Sequence, residues 1–171
     1  ILIIIYINFF INYYKLYYNN MTSISQKFKK YKLPKNDQTM NQLCIHKQFT
    51  LQPQQKFLRD YFNSRYVGNG LLVYHKIGAG KTCSAISVTE SLKKKKNIMV
   101  LLPSSLIGNF RDELRSPCAS NEYINDKDRE LLLSLSPKNK EYKEIIKQSN
   151  KKINKFYNIY SYHKFTELAI Q

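Results

Sequence analysis

Leu71-Leu72-Val73-Tyr74-His75-Lys76-Ile77-Gly78-Ala79-Gly80-Lys81-Thr82 is the stretch that decides the fold class. Its apolar start reads as a buried strand, its glycines as a turn, and Lys81-Thr82 as a helix entrance. A helix N-terminus offers unpaired backbone N–H groups and a partial positive charge, so an anion is favoured there. Gly78 and Gly80 let the backbone curl around a phosphate with no Cβ in the way. Lys81 then reaches the β/γ oxygens, and the Thr82 hydroxyl is placed to ligate Mg²⁺. The segment His75, Lys76, Ile77, Gly78, Ala79, Gly80, Lys81 and Thr82 is thus a candidate nucleotide-phosphate loop. The commoner form of the loop carries a further glycine five positions before Gly80, where this chain has His75.

Working outward, Ala85, Ile86, Val88 and Leu92 continue the helix with an apolar face suited to packing on a sheet. Lys93 to Lys96 follow as a solvated cap that complements the helix dipole. Ile98-Met99-Val100-Leu101-Leu102 is a continuous apolar run, the sign of a strand buried on both faces. Strand, helix and strand within this distance predict a βαβ unit with a right-handed parallel crossover. The expected fold is α/β, a parallel sheet with flanking helices. Pro103-Ser104-Ser105-Leu106 lies where the second strand ends, the edge at which open parallel sheets gather ligands. Ser104 or Ser105 is expected to cap the helix of Leu106–Arg115, and both can offer donors to a phosphodiester. Upstream, Pro53 sits near a helix start, with Phe57, Leu58, Tyr61 and Phe62 at helical spacing.

The 171 residues carry 28 basic and 12 acidic side chains, a formal charge of +16. Such an excess suits a polyanion such as nucleic acid, although a Lys- and Asn-rich coding bias produces the same number. Cys44, Cys83 and Cys118 are odd in number, widely spaced and without a C-x-x-C pair. Neither a zinc site nor a disulfide framework is expected, and a reducing, intracellular compartment follows.

Residues 1–20 contain only Ile, Leu, Tyr, Asn, Phe and Lys, all encodable by A and T alone. They read as non-native translation upstream of a start at Met21. A membrane or signal segment is the rival, disfavoured because Asn8, Asn12 and Lys15 interrupt the run and no small-residue cleavage site closes it. Residues 21–48 read as a basic, flexible leader. Residues 49–171 form the expected domain, with 116–155 as a polar, lysine-rich insertion holding helical pieces.

Three segments together carry a family resemblance: L-x-P-x-Q at 51–55, L-L-V-Y-H-x-x-G-x-G-K-T-C-x-A-I at 71–86, and P-x-S-L-x-x-N-F at 103–110. This order resembles superfamily 2 helicases and translocases. It is similar to their Swi/Snf-like and poxvirus-type nucleoside triphosphatase members, and most like helicases of large DNA viruses. The resemblance implies a partial RecA-like P-loop ATPase lobe. It implies that Gln55 reads adenine, that the loop through Lys81 and Thr82 holds ATP and Mg²⁺, and that Ser104 and Ser105 touch the nucleic-acid backbone. Phe156–Phe165 is similar, more loosely, to a later strand and its T/S-Y element, which makes Ser161 a third backbone contact. If the parent is viral, host cytoplasm, nucleus or virion is the expected location.

One part of that pattern is missing. The family holds Mg²⁺ and orients the attacking water with a D-E-x-x motif after an apolar strand, and this chain has no such pair. Asp126, Asp128 and Glu130 stand in a polar stretch instead. The chain is therefore expected to be the N-terminal part of an ATP-dependent nucleic-acid helicase or translocase, with the rest of a split helicase as a candidate partner. The alternative is a catalytically inactive nucleotide- or nucleic-acid-binding fragment. A small-molecule kinase is a third class, against which the P-x-S-L-x-x-N-F segment argues.

Overall fold

The computed structural model describes residues 26–32, 49–64, 71–74 and 78–170. The upstream segment 1–20, most of the leader, the turn at 65–70 and His75-Lys76-Ile77 of the loop lie outside the described residues.

Helix α1 spans Pro53–Phe62. Pro53 occupies a first-turn position, where a missing N–H costs nothing. Gln52 and Gln55 bond reciprocally across that turn as a capping box. Helix α2 spans Lys81–Leu92, and every residue from Cys83 to Thr89 is buried. A helix covered on all sides needs its polar groups satisfied internally. Ser87 Oγ accordingly donates to the Ser84 carbonyl at 2.8 Å and Thr89 Oγ1 to the Ala85 carbonyl at 3.1 Å. Asn63, just past α1, ties the two helices through Nδ2 to Ser91 Oγ at 2.7 Å.

Strands β1 (Ile98–Leu102) and β2 (Tyr157–Ser161) pair in parallel, from Ile98 opposite Tyr157 to Leu102 opposite Ser161. Between them run α3 (Ile107–Leu114), α4 (Asp126–Ser134) and α5 (Lys140–Asn154), and α6 (Tyr162–Ile170) follows β2. Leu58 and Phe62 of α1, Ile86 and Val88 of α2, Val100 and Leu102 of β1, Phe110 and Leu114 of α3, and Ile153 of α5 share one core.

Several expectations are corrected. The strand expected over Leu71–Tyr74 is not formed: only β1 and β2 exchange ladder bonds among the described residues. A strand is held by a neighbour's backbone, and without one this segment keeps only the alternation. Leu71 and Val73 pack against the core, while Leu72 and Tyr74 are 70% and 91% exposed. The observed parallel pair is β1 with β2, not β1 with the segment before the loop. β1 itself buries one face, with Met99 52% exposed between buried Ile98 and Val100.

Lys93 is not part of a solvated cap. Its side chain is 5% exposed, 2.6 Å from Glu90 Oε2, and lies over the rings of Tyr123 and Phe156. Glu90 Oε1 accepts from both Tyr123 OH (2.6 Å) and Tyr157 OH (2.7 Å). Burial, followed by the neighbouring Glu90, pushes both phenols far above the ordinary tyrosine range.

Residues 116–155 carry helices, as expected, and these are docked on α3. Arg115 donates from Nε to Ser149 Oγ (3.0 Å) and from Nη2 to Asn150 Oδ1 (2.5 Å), and Arg111 Nη2 donates to Asn154 Oδ1 (2.9 Å). Two arginines of α3 and its C-terminus thereby pin α5. Residues 26–32 are also engaged: Phe28 is buried against the rings of Phe57 and Tyr61, and Tyr31 OH donates to the Asp60 carboxylate.

Candidate nucleotide and nucleic-acid site

The site is built on the entrance of α2. Gly78 and Gly80 have φ of +80° and +70°, the left-handed region that glycine adopts without steric cost. Gly80 is the N-cap of α2, and the first intrahelical bond runs from Ser84 N–H to the Gly80 carbonyl at 2.9 Å. The backbone donors ahead of Ser84 therefore belong to the helix end that favours an anion. Around Gly78 no atom would meet an added Cβ within 4 Å, so the loop faces open space there. Lys81 and Thr82 are half-buried at this entrance.

Gln55 is brought to the loop across 25 residues of sequence. It is 4% exposed, and its Nε2 donates to the Gly80 carbonyl at 3.4 Å. Its Oε1 accepts from the Gln52 N–H at 2.9 Å. An added Cβ at Gly80 would stand 2.7 Å from Gln55 Nε2, so glycine is needed here for close approach as well as for φ. Gln55 thus braces the glycine turn at the entrance of α2. One amide hydrogen and one lone pair remain outside these two bonds.

The expected serine cap is corrected. Ser104 and Ser105 lie in a 3-10 turn whose backbone bond runs from Leu106 N–H to the Pro103 carbonyl, and neither side chain caps α3. Both are exposed. Ser161 behaves differently: its Oγ accepts from the Lys164 N–H at 3.1 Å, capping α6. The parallel register sets Ser161 opposite Leu102, two residues before Ser104. All three serines therefore emerge at the same end of the two-stranded sheet.

The expectation of no disulfide is overturned. Cys83, on the first turn of α2, is bonded to Cys118, in the 3-10 turn Pro117–Ala119 after α3, with Cα atoms 5.5 Å apart. Spacing along the chain carried no sign of it, because the two cysteines meet only once α3 has folded back beside α2. Glu113 Oε1 lies 3.4 Å from Cys118 Sγ, a contact rather than a hydrogen bond because a disulfide sulfur has no proton. With the sulfurs joined, the trio Cys83, Glu113 and Cys118 offers a cation one carboxylate and no thiolate.

The acids at the start of α4 serve the helix that carries them. Asp126 bonds to Arg129 and to Asn121 Nδ2, and Asp128 accepts from Asn125 Nδ2 at 2.9 Å. Among the described residues, no helix is long and apolar enough to cross a membrane.

No protein-family model matches the chain, and no solved structure matches it. It is 48% identical over 148 residues, 86% of its length, to a protein named as an ATP-dependent RNA helicase of Acanthamoeba polyphaga mimivirus. It is 27% identical over 127 residues to one named as a helicase of Invertebrate iridescent virus 3, and 29% identical over 124 residues to another mimivirus protein named as an ATP-dependent RNA helicase. The chain spans 26% of the first of these relatives and 12% and 10% of the other two. The names these relatives carry support a helicase family, and over most of its length the chain is similar to helicases of large DNA viruses.

Proposed function

We propose that these residues are the nucleotide-binding beginning of an ATP-dependent helicase or translocase lobe of RecA-like, superfamily 2 type. The observation that carries the reading is the entrance of α2, where two positive-φ glycines precede Lys81 and Thr82 and Gln55 braces the turn. A phosphate chain fits this entrance because Gly78 faces open space and the first-turn donors converge on it. Lys81 would hold the β/γ oxygens, Thr82 would ligate Mg²⁺, and the amide atoms of Gln55 left over would meet adenine. ATP supplies the phosphoryl chemistry; the chain's residues bind and orient it.

Ser104, Ser105 and Ser161 share one sheet edge with this entrance. α2 reaches β1 through the short Lys93–Asn97 link, and Thr89 and Glu90 near its C-terminus bond Tyr157 at the start of β2. The helix consequently runs antiparallel to the strands, and its N-terminus points toward their C-terminal ends. The exposed hydroxyls of Ser104 and Ser105, and the half-buried hydroxyl of Ser161, which caps α6 but keeps its proton to donate, suit contacts to a phosphodiester backbone.

The test is titration of the chain with a fluorescent ATP analogue and Mg²⁺. Wild type is expected to bind and Lys81→Ala to bind at least about tenfold more weakly, the loss of roughly one charge-assisted contact. Turnover is not expected from these residues alone, since among the described residues neither β1 nor β2 is followed by an acid pair to hold Mg²⁺ and water. Equal nucleotide affinity in wild type and Lys81→Ala would sink the reading.

A further inference from the structure

One face of α5 carries Lys143, Lys147, Lys151 and, just beyond the helix end, Lys155, each four residues from the next. All four are exposed, and no ion pair engages them among the described residues. Glu144, the acid nearest on the same helix, contacts Gln148 instead. Like charges at i,i+4 disfavour a helix, so the row persists against its own repulsion. Packing does not require it, because the core contact of α5 is made from the other face through Ser149 and Ile153.

The same four lysines line an open groove of about 670 Å³ along α5, completed by Tyr142, Ile146, Asn150 and Asn154 of the same helix. Four residues of helix rise by about 6 Å, so the row extends for about 18 Å, long enough to follow several consecutive phosphates. Its position is held by Arg111 and Arg115, which clamp α5 to α3, the helix that begins at Ile107, two residues after Ser105. An unpaired cationic row on a docked helix, with an aromatic beside it, is complementary to a single-stranded nucleic-acid backbone.

We infer that the α5 groove is a second phosphodiester-binding surface, separate from the serine edge, which tracks a single strand through Lys143, Lys147, Lys151 and Lys155. The inference extends the helicase reading by a contact that its motifs do not contain, and it rests on that reading only for the identity of the strand as a motor's track.

The experiment is fluorescence anisotropy of the full chain with labelled oligouridine and oligodeoxythymidine of about 16 nucleotides, between about 50 and 200 mM salt. Replacing all four lysines (K143Q/K147Q/K151Q/K155Q) is expected to weaken binding more than tenfold at low salt. It should also flatten the salt slope by roughly 3, four contacts at about 0.7 each. A charge-matched control, K94Q/K95Q/K127Q/K138Q, is expected to keep most of both. Dependence on α5 with either oligonucleotide supports the inference, and the tighter one names the strand. Equal losses in the two variants would mean diffuse charge and overturn it. So would wild-type binding by the α5 variant, including the case where α5 captures a polyglutamate peptide instead.

Acetylation footprinting of the unaltered chain covers a variant that does not fold. Bound oligonucleotide should protect Lys143, Lys147, Lys151 and Lys155 but not Lys94 or Lys95, and the reverse pattern rejects the site. Binding of the ATP analogue is measured in parallel, so a failed nucleotide reading is seen separately from a failed groove.

Discussion

At the scale of single residues, Gly80 bears the tightest constraint at the site. Its φ of +70° acts together with Gln55 Nε2, which lies 2.7 Å from the position a Cβ would take. Gly80→Ala is expected to cost about 1–2 kcal/mol from the left-handed backbone alone, with a further loss because a buried glutamine must move. Thermal unfolding checks this. In the double variant Gln55→Ala/Gly80→Ala the clash is gone and the backbone strain stays, so the two changes should be less than additive. Full additivity would mean that Gln55 does not brace the loop. The glycines were legible in the sequence, since the turn needs positive φ. The partner of Gly80 was not, because nothing local to residue 80 points to residue 55.

The elements show why polar residues recur in so small a core. Glu90 near the end of α2 gathers Lys93, Tyr123 and Tyr157, joining α2, the segment before α4, and β2. Removing one partner would leave a buried charge or hydroxyl unsatisfied. The phenols also make stability depend on pH. Their folded pKa values are raised above the ordinary 10.0 by burial and by Glu90. The neutral form is favoured in the fold, so this contribution is complete below about pH 10 and is lost as pH rises above it. Melting temperature should therefore fall between roughly pH 9 and pH 11, the range in which the tyrosines of the unfolded chain ionise. Tyr157→Phe should fall less steeply over that range, while losing about 1 kcal/mol at neutral pH from its bonds to Glu90 and Thr89. Identical pH profiles would mean that Tyr157 does not couple stability to pH. The same network explains the correction at Lys93: a run of four lysines reads as solvent-facing until the first of them meets a half-buried acid three residues earlier.

Across the whole molecule, the Cys83–Cys118 bond closes a loop of 35 residues containing β1 and α3, and it anchors the first turn of α2. Chain-entropy arguments assign such a loop about 4 kcal/mol of stabilisation. Adding a thiol reductant is expected to lower the unfolding free energy in urea by about 3–4 kcal/mol. Cys118→Ser should show the lower value at once and no response to reductant. A reductant-insensitive wild type would mean that the staple does not support the fold. The bond also changes what the composition implied, since persistence of a disulfide belongs to an oxidising setting and its loss to a reducing one.

What the sequence determined by itself was local. Glycines that need positive φ, an apolar helix after Lys81-Thr82, the run that became β1, and a large positive charge are all written within short windows, whereas β2 was expected only from the family resemblance of Phe156–Phe165. Backbone sterics and hydrophobic periodicity act over a few residues, so they can be read there. Tertiary structure alone decided which distant parts met. It set Gln55 under Gly80, joined Cys83 to Cys118, paired β1 with β2 and left residues 71–74 without a ladder partner among the described residues. It also clamped α5 onto α3 through Arg111 and Arg115, and turned a stretch of polar sequence into a cationic groove. Such contacts join residues tens of positions apart, and their energy depends on shape and desolvation at the meeting point, which no local window of sequence contains.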